Sequence, residues 1–236
     1  RRQRQMCIRD RNMGYEVVLV SSGAIAVGRN KLNMTSKPDS MRMKQAAAAV
    51  GQCSLMYLYD KFFGDYDKTV AQILLNAEDI EQEEKKENLI NTFNALLEMG
   101  VIPIVNENDS VSYKEIESED RLFGDNDMLS AVVAVLCRAR HLVILSDIDG
   151  FYDHDPRLYP NAKLIEQIDT IDDSVYALAG GAGSRRGTGG MRTKLQAAAL
   201  ATSQGTDTIV TNGKHPEALY DIVKGLHAGT LFPGKI

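Results

Sequence analysis

Short runs of aliphatic and β-branched residues alternate along the chain with longer stretches of helical periodicity. Residues 16–21 (EVVLVS), 101–106 (VIPIVN), 142–146 (LVILS) and 208–211 (TIVT) are apolar with almost no alternation. A strand with one wet face alternates; a continuous apolar strand has both faces covered, which predicts a parallel sheet between helical layers. Helical patterns lie between these runs. Residues 41–63 are rich in Ala, Met, Gln and Leu, and 78–99 carry a charged first half and an apolar stripe at Leu89, Phe93, Leu96 and Leu97. Residues 127–137 are nearly all apolar after the first turn, so that helix is predicted to be buried. Residues 193–204 are Ala-rich and stop before Gly205, a good C-cap, and 217–226 precede a short strand candidate at 229–232. Strand followed by helix, repeated, predicts a doubly wound α/β fold: a three-layer αβα sandwich with a mainly parallel central sheet. No internal repeat, linker or low-complexity stretch interrupts it.

Composition narrows the function classes. The 236 residues are 44% hydrophobic and 25% charged, with a net charge of -5 in which acids and bases are interspersed. Such a chain offers no broad basic face, so no nucleic acid partner is expected. Cys7, Cys53 and Cys137 are odd in number, far apart and form no CxxC pair, which argues against a disulfide framework or zinc site and for a reducing, cytoplasmic setting. No apolar run reaches the roughly 18 residues of a membrane span, so no membrane association is expected. His141, His154, His215 and His227 show no metal-ligand spacing. Residues 1–12 are basic, rich in Arg and Gln and without core periodicity; they are expected to be a non-native or disordered leader outside the fold.

In a doubly wound sheet, ligands bind beyond the carboxyl ends of the strands. Each predicted strand delivers a polar cluster there. Ser21-Ser22-Gly23-Ala24 follows the first, where small residues let N–H groups converge on an anion; a tight turn would need the same residues. Asn106-Glu107-Asn108-Asp109 follows the second, and an Asx-rich turn is the plain alternative. Gly124-Asp125-Asn126-Asp127 opens the apolar helix with two carboxylates and an amide, more than helix capping requires. Ser146-Asp147, Gly150 and Asp153-His154-Asp155-Pro156-Arg157 follow the third and suit a nucleotide, or merely a surface loop. Gly187-Thr188-Gly189-Gly190-Met191-Arg192-Thr193-Lys194 places glycines and a lysine at a predicted helix start, where the dipole disfavours a cation unless an anion lies beside it. The spacing is not that of a Walker A loop, and no GxGxxG follows the first strand, which argues against a dinucleotide-binding dehydrogenase.

Taken together, VSSGAIAVG at 20–28, IPIVNENDSV at 102–111, GDNDMLSA at 124–131, LSDIDGFYDHDPR at 145–157, GTGGMRTKLQAA at 187–198 and GTLF at 229–232 resemble the amino acid kinase superfamily, and within it the γ-glutamyl kinases. The resemblance runs from about Met13 to the end. It implies ATP- and Mg²⁺-dependent phosphorylation of the L-glutamate γ-carboxylate to γ-glutamyl phosphate, the first step of proline biosynthesis. It further implies proline as a feedback inhibitor and a homo-oligomer. By the same resemblance Ser22, Gly23, Asp109 and Asn126 would bind glutamate. Ser146, Asp147, Thr188, Gly189, Gly190, Met191, Arg192, Thr193 and Lys194 would bind the nucleotide. Lys194, Asp127 and Asp125 would be catalytic. Two departures are expected: nothing before Met13 matches the family's Lys-x-Gly-Ser/Thr strand, so that first strand would be missing, and the chain stops at Ile236 without the RNA-modification-type (PUA) domain of many relatives. Another member of the same fold, or a non-catalytic nucleotide or amino-acid binding module, remains the alternative.

Overall fold

The computed structural model describes residues 14–111, 126–179 and 188–235, with backbone only at 188 and 189. The expected leader at 1–12 lies outside the described residues. The chain divides between Asn126 and Asp127 into two compact units.

The first unit is built on three parallel strands in the order β1-β3-β2: β1 (Leu19–Val20), β2 (Val70–Leu75) and β3 (Ile102–Glu107). The central β3 is buried from Ile102 to Asn106, as its unbroken apolar run requires. Its register pairs Val20 with Val105, and Leu75 with Glu107, so all three strands end at one edge. β2, with the sequence VAQILL, supplies that third strand. The helices are α1 (Ala24–Lys31), α2 (Met41–Gly64), α3 (Ala77–Glu81) and α4 (Glu83–Glu98). Phe63 of α2 is fully buried against Ile102 and Ile104, with Val17, Leu19, Met56, Tyr59 and Val70 around it.

The helix predicted over 78–99 is two helices. Asp79 accepts a hydrogen bond from the Asn76 N–H at 2.8 Å, fixing the start of α3, and Gln82 is extended at ψ 113°, which restarts the chain as α4. Helical periodicity does not reveal such a break, because both pieces present residues on a common spacing.

Helices α1 and α2 meet backbone to backbone. A Cβ on Gly28 would lie 1.7 Å from the Ala47 carbonyl oxygen, and one on Gly51 would lie 1.7 Å from the Ala24 carbonyl oxygen. Only glycine fits at either position.

The second unit has strands in the order β4-β7-β8: β4 (His141–Ser146), β7 (Asp207–Asn212) and β8 (Thr230–Phe232). β4 and β7 are parallel, with His141 opposite Asp207 and Ser146 opposite Asn212; β8 joins β7 antiparallel. A hairpin of β5 (Phe151–Tyr152) and β6 (Leu164–Ile165) sits beside them. Among the described residues its helices are α5 (Asn126–Leu136, its first residue counted with the first unit), α6 (Asp173–Ala179), α7 (Thr188–Ser203) and α8 (Ala218–Val223). The core draws Leu195, Ala197, Ala198 and Ala201 from α7, Leu142 and Ile144 from β4, and Phe151, Val210 and Phe232. Alanine on the inner face of α7 brings the helix close to the sheet. The Thr230 hydroxyl accepts the Phe151 N–H at 2.7 Å and donates to the Ile165 carbonyl at 2.6 Å, clipping the hairpin to β8. The α/β class and the mainly parallel pairing are therefore as the sequence predicts.

Two outcomes test this packing. Gly51→Ala should lower stability by about 2 kcal/mol through overpacking against the Ala24 carbonyl. Gly64→Ala, where a Cβ meets nothing within 4 Å, should not; urea midpoints of the two variants make the comparison. The His141 imidazole has its pKa lowered, chiefly by burial and further by Arg140, against the opposing pull of Asp207, whose Oδ2 is 3.6 Å from Nδ1. Its neutral form is thus favoured by folding. This contribution is whole above the ordinary value of about 6.5 and is lost as the pH falls from there through the lowered folded-state value. His141→Gln should narrow the loss of stability between pH 8 and pH 5.5.

Candidate functional site

Parallel pairing gathers the polar clusters of each unit at a carboxyl edge. In the first unit, β1 is followed by Ser21, whose N–H donates to the Val105 carbonyl at 2.7 Å. Ser21 is buried, and its hydroxyl lies 2.9 Å from the Tyr59 hydroxyl on α2. Ser22 and Gly23 follow, both exposed, and Gly23 begins α1 at φ 88°, a left-handed conformation that glycine adopts without strain. No side chain caps that helix start.

Asn106, at the tip of β3, is 2% exposed. Its carboxamide nitrogen donates to Gln52 Oε1 at 2.9 Å and its oxygen accepts the Glu107 N–H at 3.0 Å. Asn106 is thereby a structural residue that holds the strand tip. Asp109, two residues beyond β3, is partly buried on the turn where the Asn108 N–H donates to the Leu75 carbonyl and Ser110 to Asn108 Oδ1. Ser22, Gly23 and Asp109 thus share one sheet edge. Gln52 and Tyr59, which secure that edge from α2, have no motif of their own; the signal is a polar side chain on the inner side of an otherwise small and apolar helix.

In the second unit, α5 and α7 each run into a strand through a connection of three or four residues, so their starts lie toward the carboxyl edge of β4 and β7. Helix α7 begins at Thr188, five residues earlier than predicted. Gly189 and Gly190 therefore lie inside its first turn, and Lys194 lies in the second turn rather than the first. Glycine's low helix propensity hides this start in the sequence, while the packed alanines downstream stabilise the helix.

The anion that a lysine near a helix start demands is Asp127. Lys194 Nζ donates to Asp127 Oδ2 at 2.8 Å, and the Thr193 hydroxyl donates to the same oxygen at 3.1 Å. The two side chains are only 15% and 13% exposed, so the pair is partly shielded from solvent screening. Asp125 lies outside the described residues, and Asn126 opens α5 partly exposed. Arg192, exposed, stacks over the Tyr176 ring at 5.7 Å. Met191 is half-buried against the core and Gly190 is exposed; Thr188 and Gly189 contribute backbone at the helix start.

At the tip of β4, the Gly213 N–H donates to the Ser146 carbonyl at 2.8 Å, binding the ends of β4 and β7. Asp149 accepts at both oxygens: Asn212 Nδ2 donates to one at 2.8 Å and the Tyr152 hydroxyl to the other at 3.1 Å. Burial, then the Asp149 contact, raises the Tyr152 pKa and keeps that hydroxyl a donor. Asp147 is different. It is exposed, and Arg157 donates to its Oδ2 at 2.6 Å while Ser146 Oγ stands 3.4 Å from Oδ1.

Among the described residues no group of three His, Cys, Asp or Glu is placed to hold a metal ion, and no helix is long and apolar enough to cross a membrane. Asp127 is a donor of the kind Mg²⁺ prefers, an ion that takes one or two protein carboxylates and otherwise rides on a ligand's phosphates.

The amino acid kinase family model matches residues 6–212. Glutamate 5-kinase of Clostridium perfringens is 56% identical over 224 residues, covering 95% of this chain and 83% of that one. Glutamate 5-kinase of Listeria innocua is 49% identical over 225 residues, covering 95% and 81%. Among solved structures, the carbamate kinase from Giardia lamblia bound to AMP-PNP aligns with a TM-score of 0.66 at 16% identity, covering 98% of this chain and 89% of that one. Isopentenyl phosphate kinase from T. acidophilum aligns at 0.61 and 18% identity, covering 98% and 90%. The two solved structures establish the fold.

The Lys194–Asp127 pair makes a stability prediction. Lys194→Met leaves a shielded carboxylate without its cation and should cost about 1–3 kcal/mol. The double variant Asp127→Asn/Lys194→Met should recover most of that loss in a denaturant titration.

Proposed function

This chain belongs to the amino acid kinase family, and from that premise we propose that it transfers the γ-phosphoryl group of ATP to the side-chain carboxylate of L-glutamate, forming γ-glutamyl phosphate. What carries the reading is the likeness to glutamate 5-kinases along 95% of the chain. The local geometry supports it: an acceptor-type edge with Ser22, Gly23 and Asp109, and a shielded lysine–carboxylate pair at the start of α7.

The chemistry asks little of acid–base catalysis. A γ-carboxyl has an ordinary pKa of about 4.3 and is already ionised at neutral pH. The obstacle is charge. Two unit negative charges at about 4 Å repel by roughly 4 kcal/mol at an effective dielectric near 20. Lys194 is the residue assigned to offset this at the phosphoryl group, with the N–H groups at the start of α7 adding partial positive charge. Asp127 holds Lys194 in place, and Asp125 is assigned to the same centre. Ser22, the Gly23 main chain, Asp109 and Asn126 are assigned to glutamate, and Ser146, Asp147 and 188–194 to the nucleotide. Bound Mg²⁺ would neutralise phosphate charge, with Asp127 the described residue fit to hold it. The same reading makes the protein cytoplasmic, a homo-oligomer and subject to inhibition by proline, at the entry to proline biosynthesis.

Lys194→Ala should reduce glutamate-dependent ADP release by about 10²- to 10³-fold while the far-UV circular dichroism spectrum stays native. Wild-type-like turnover in that variant would remove Lys194 from its role. A screen of acceptors should show glutamate preferred over aspartate, acetylglutamate and UMP; preference for another acceptor would overturn the substrate assignment.

A further inference from the structure

The loop after β4 holds an ion pair that fold stability does not account for. Arg157 donates to Asp147 at 2.6 Å, yet the side chains are 57% and 74% exposed. An exposed pair of this kind stabilises a fold by only about 0.2–1 kcal/mol. Stability in this loop comes from other contacts. Asp153 Oδ1 accepts the Lys163 N–H at 2.7 Å, which together with the hairpin closes the loop, and the Asp149 carboxylate accepts from Asn212 of β7 with one oxygen and from Tyr152 of β5 with the other. The Lys163 hydrogen bond is the leading reason that the Asp153 carboxyl has a lowered pKa.

Arg157 is delivered deliberately by its local turn. Asp155 Oδ1 accepts the Arg157 N–H at 2.9 Å, and the Leu158 and Tyr159 N–H groups return to the Asp155 carbonyl at 3.0 and 2.9 Å. Pro156 presets the turn between them. The guanidinium then reaches back ten residues to the tip of β4 and takes one oxygen of Asp147. The other oxygen, Oδ1, has only the long 3.4 Å contact with Ser146. Asp149 already accepts a side-chain hydrogen bond at each oxygen, whereas Asp147 is an exposed carboxylate with one oxygen anchored by Arg157 and the other presented at the carboxyl edge of β4.

We propose that Arg157 is a positioning residue for nucleotide recognition. It fixes the Asp147 carboxylate so that Oδ1 accepts from a hydroxyl or amino group of the nucleoside part of ATP. A carboxylate in this place suits a neutral donor and repels phosphate, so the pair reads the nucleoside end. The inference rests on the ATP-dependent reading above.

The test uses steady-state kinetics of the full chain with ATP and glutamate varied separately. Arg157→Met should raise KM for ATP on the order of tenfold, the worth of one charge-assisted hydrogen bond, with KM for glutamate and kcat nearly unchanged and the same melting temperature. Arg157→Lys should rescue only part, since a point charge does not reproduce the planar guanidinium. Asp147→Asn should raise KM for ATP to a similar degree. The double variant should be no worse than the worse single one, because Arg157 acts through Asp147. Multiplying effects, or an unchanged KM for ATP in Arg157→Met beside a normally active wild type, would overturn this inference alone. A wild type with no saturable ATP dependence would overturn the functional reading beneath it as well.

Discussion

Parallel strand pairing is the constraint on which the rest of this protein depends. Once β1, β3 and β2 run the same way, and β4 runs with β7, every residue that follows a strand emerges at one edge of its sheet. Parallel pairing needs a crossover between strands, and those crossovers are the helices that cover the apolar faces. Residues as distant in sequence as Ser22 and Asp109 share an edge for that reason alone. The helices feeding β4 and β7 run back against them, which brings the starts of α5 and α7, with Asp127 and Lys194, toward the edge that bears Ser146 and Asp147.

Charge at these edges is arranged in two distinct ways. Lys194 and Asp127 are mostly withdrawn from solvent, and Thr193 supports the same oxygen, so neither charge is heavily screened. Asp147 and Arg157 are wet, and their value lies in orientation rather than in energy. Asn106 in the first unit and Asp149 in the second spend polar groups on holding strand tips. Acids and amides of similar appearance in the sequence thus differ in how far the fold occupies their polar groups. Asn106 is the clearest structural case, since it is buried and both its amide groups are paired within the first unit.

Small residues perform the complementary task. Gly28 and Gly51 let α1 and α2 touch through their backbones, and the alanines of α7 lie flat on the sheet. Both helices carry edge residues: α2 presents Gln52 and Tyr59, and α7 presents Thr193 and Lys194. Close approach is what keeps those side chains in reach of the strand tips, because a longer side chain at the contact would lift the whole helix.

Much of this was legible in the sequence. The apolar runs at 101–106, 142–146 and 208–211 became β3, β4 and β7 within a residue at each end; β3 and β7 are buried almost throughout, as a strand covered on both faces must be, whereas β4 alternates and leaves Leu145 exposed. The clusters after them, and the kinase resemblance they carry, needed only local order. Tertiary structure decided what local order cannot encode. It split 78–99 where the backbone is extended at Gln82, moved the start of α7 back to Thr188 over two glycines, and recruited VAQILL as the third strand of the first sheet. It also chose the partners: Asp127 for Lys194 across 67 residues, and Gln52 for Asn106 across 54. Sequence determines what each residue is able to donate, accept or bury, whereas which of those capacities is used depends on neighbours that only the folded chain brings within 3 Å.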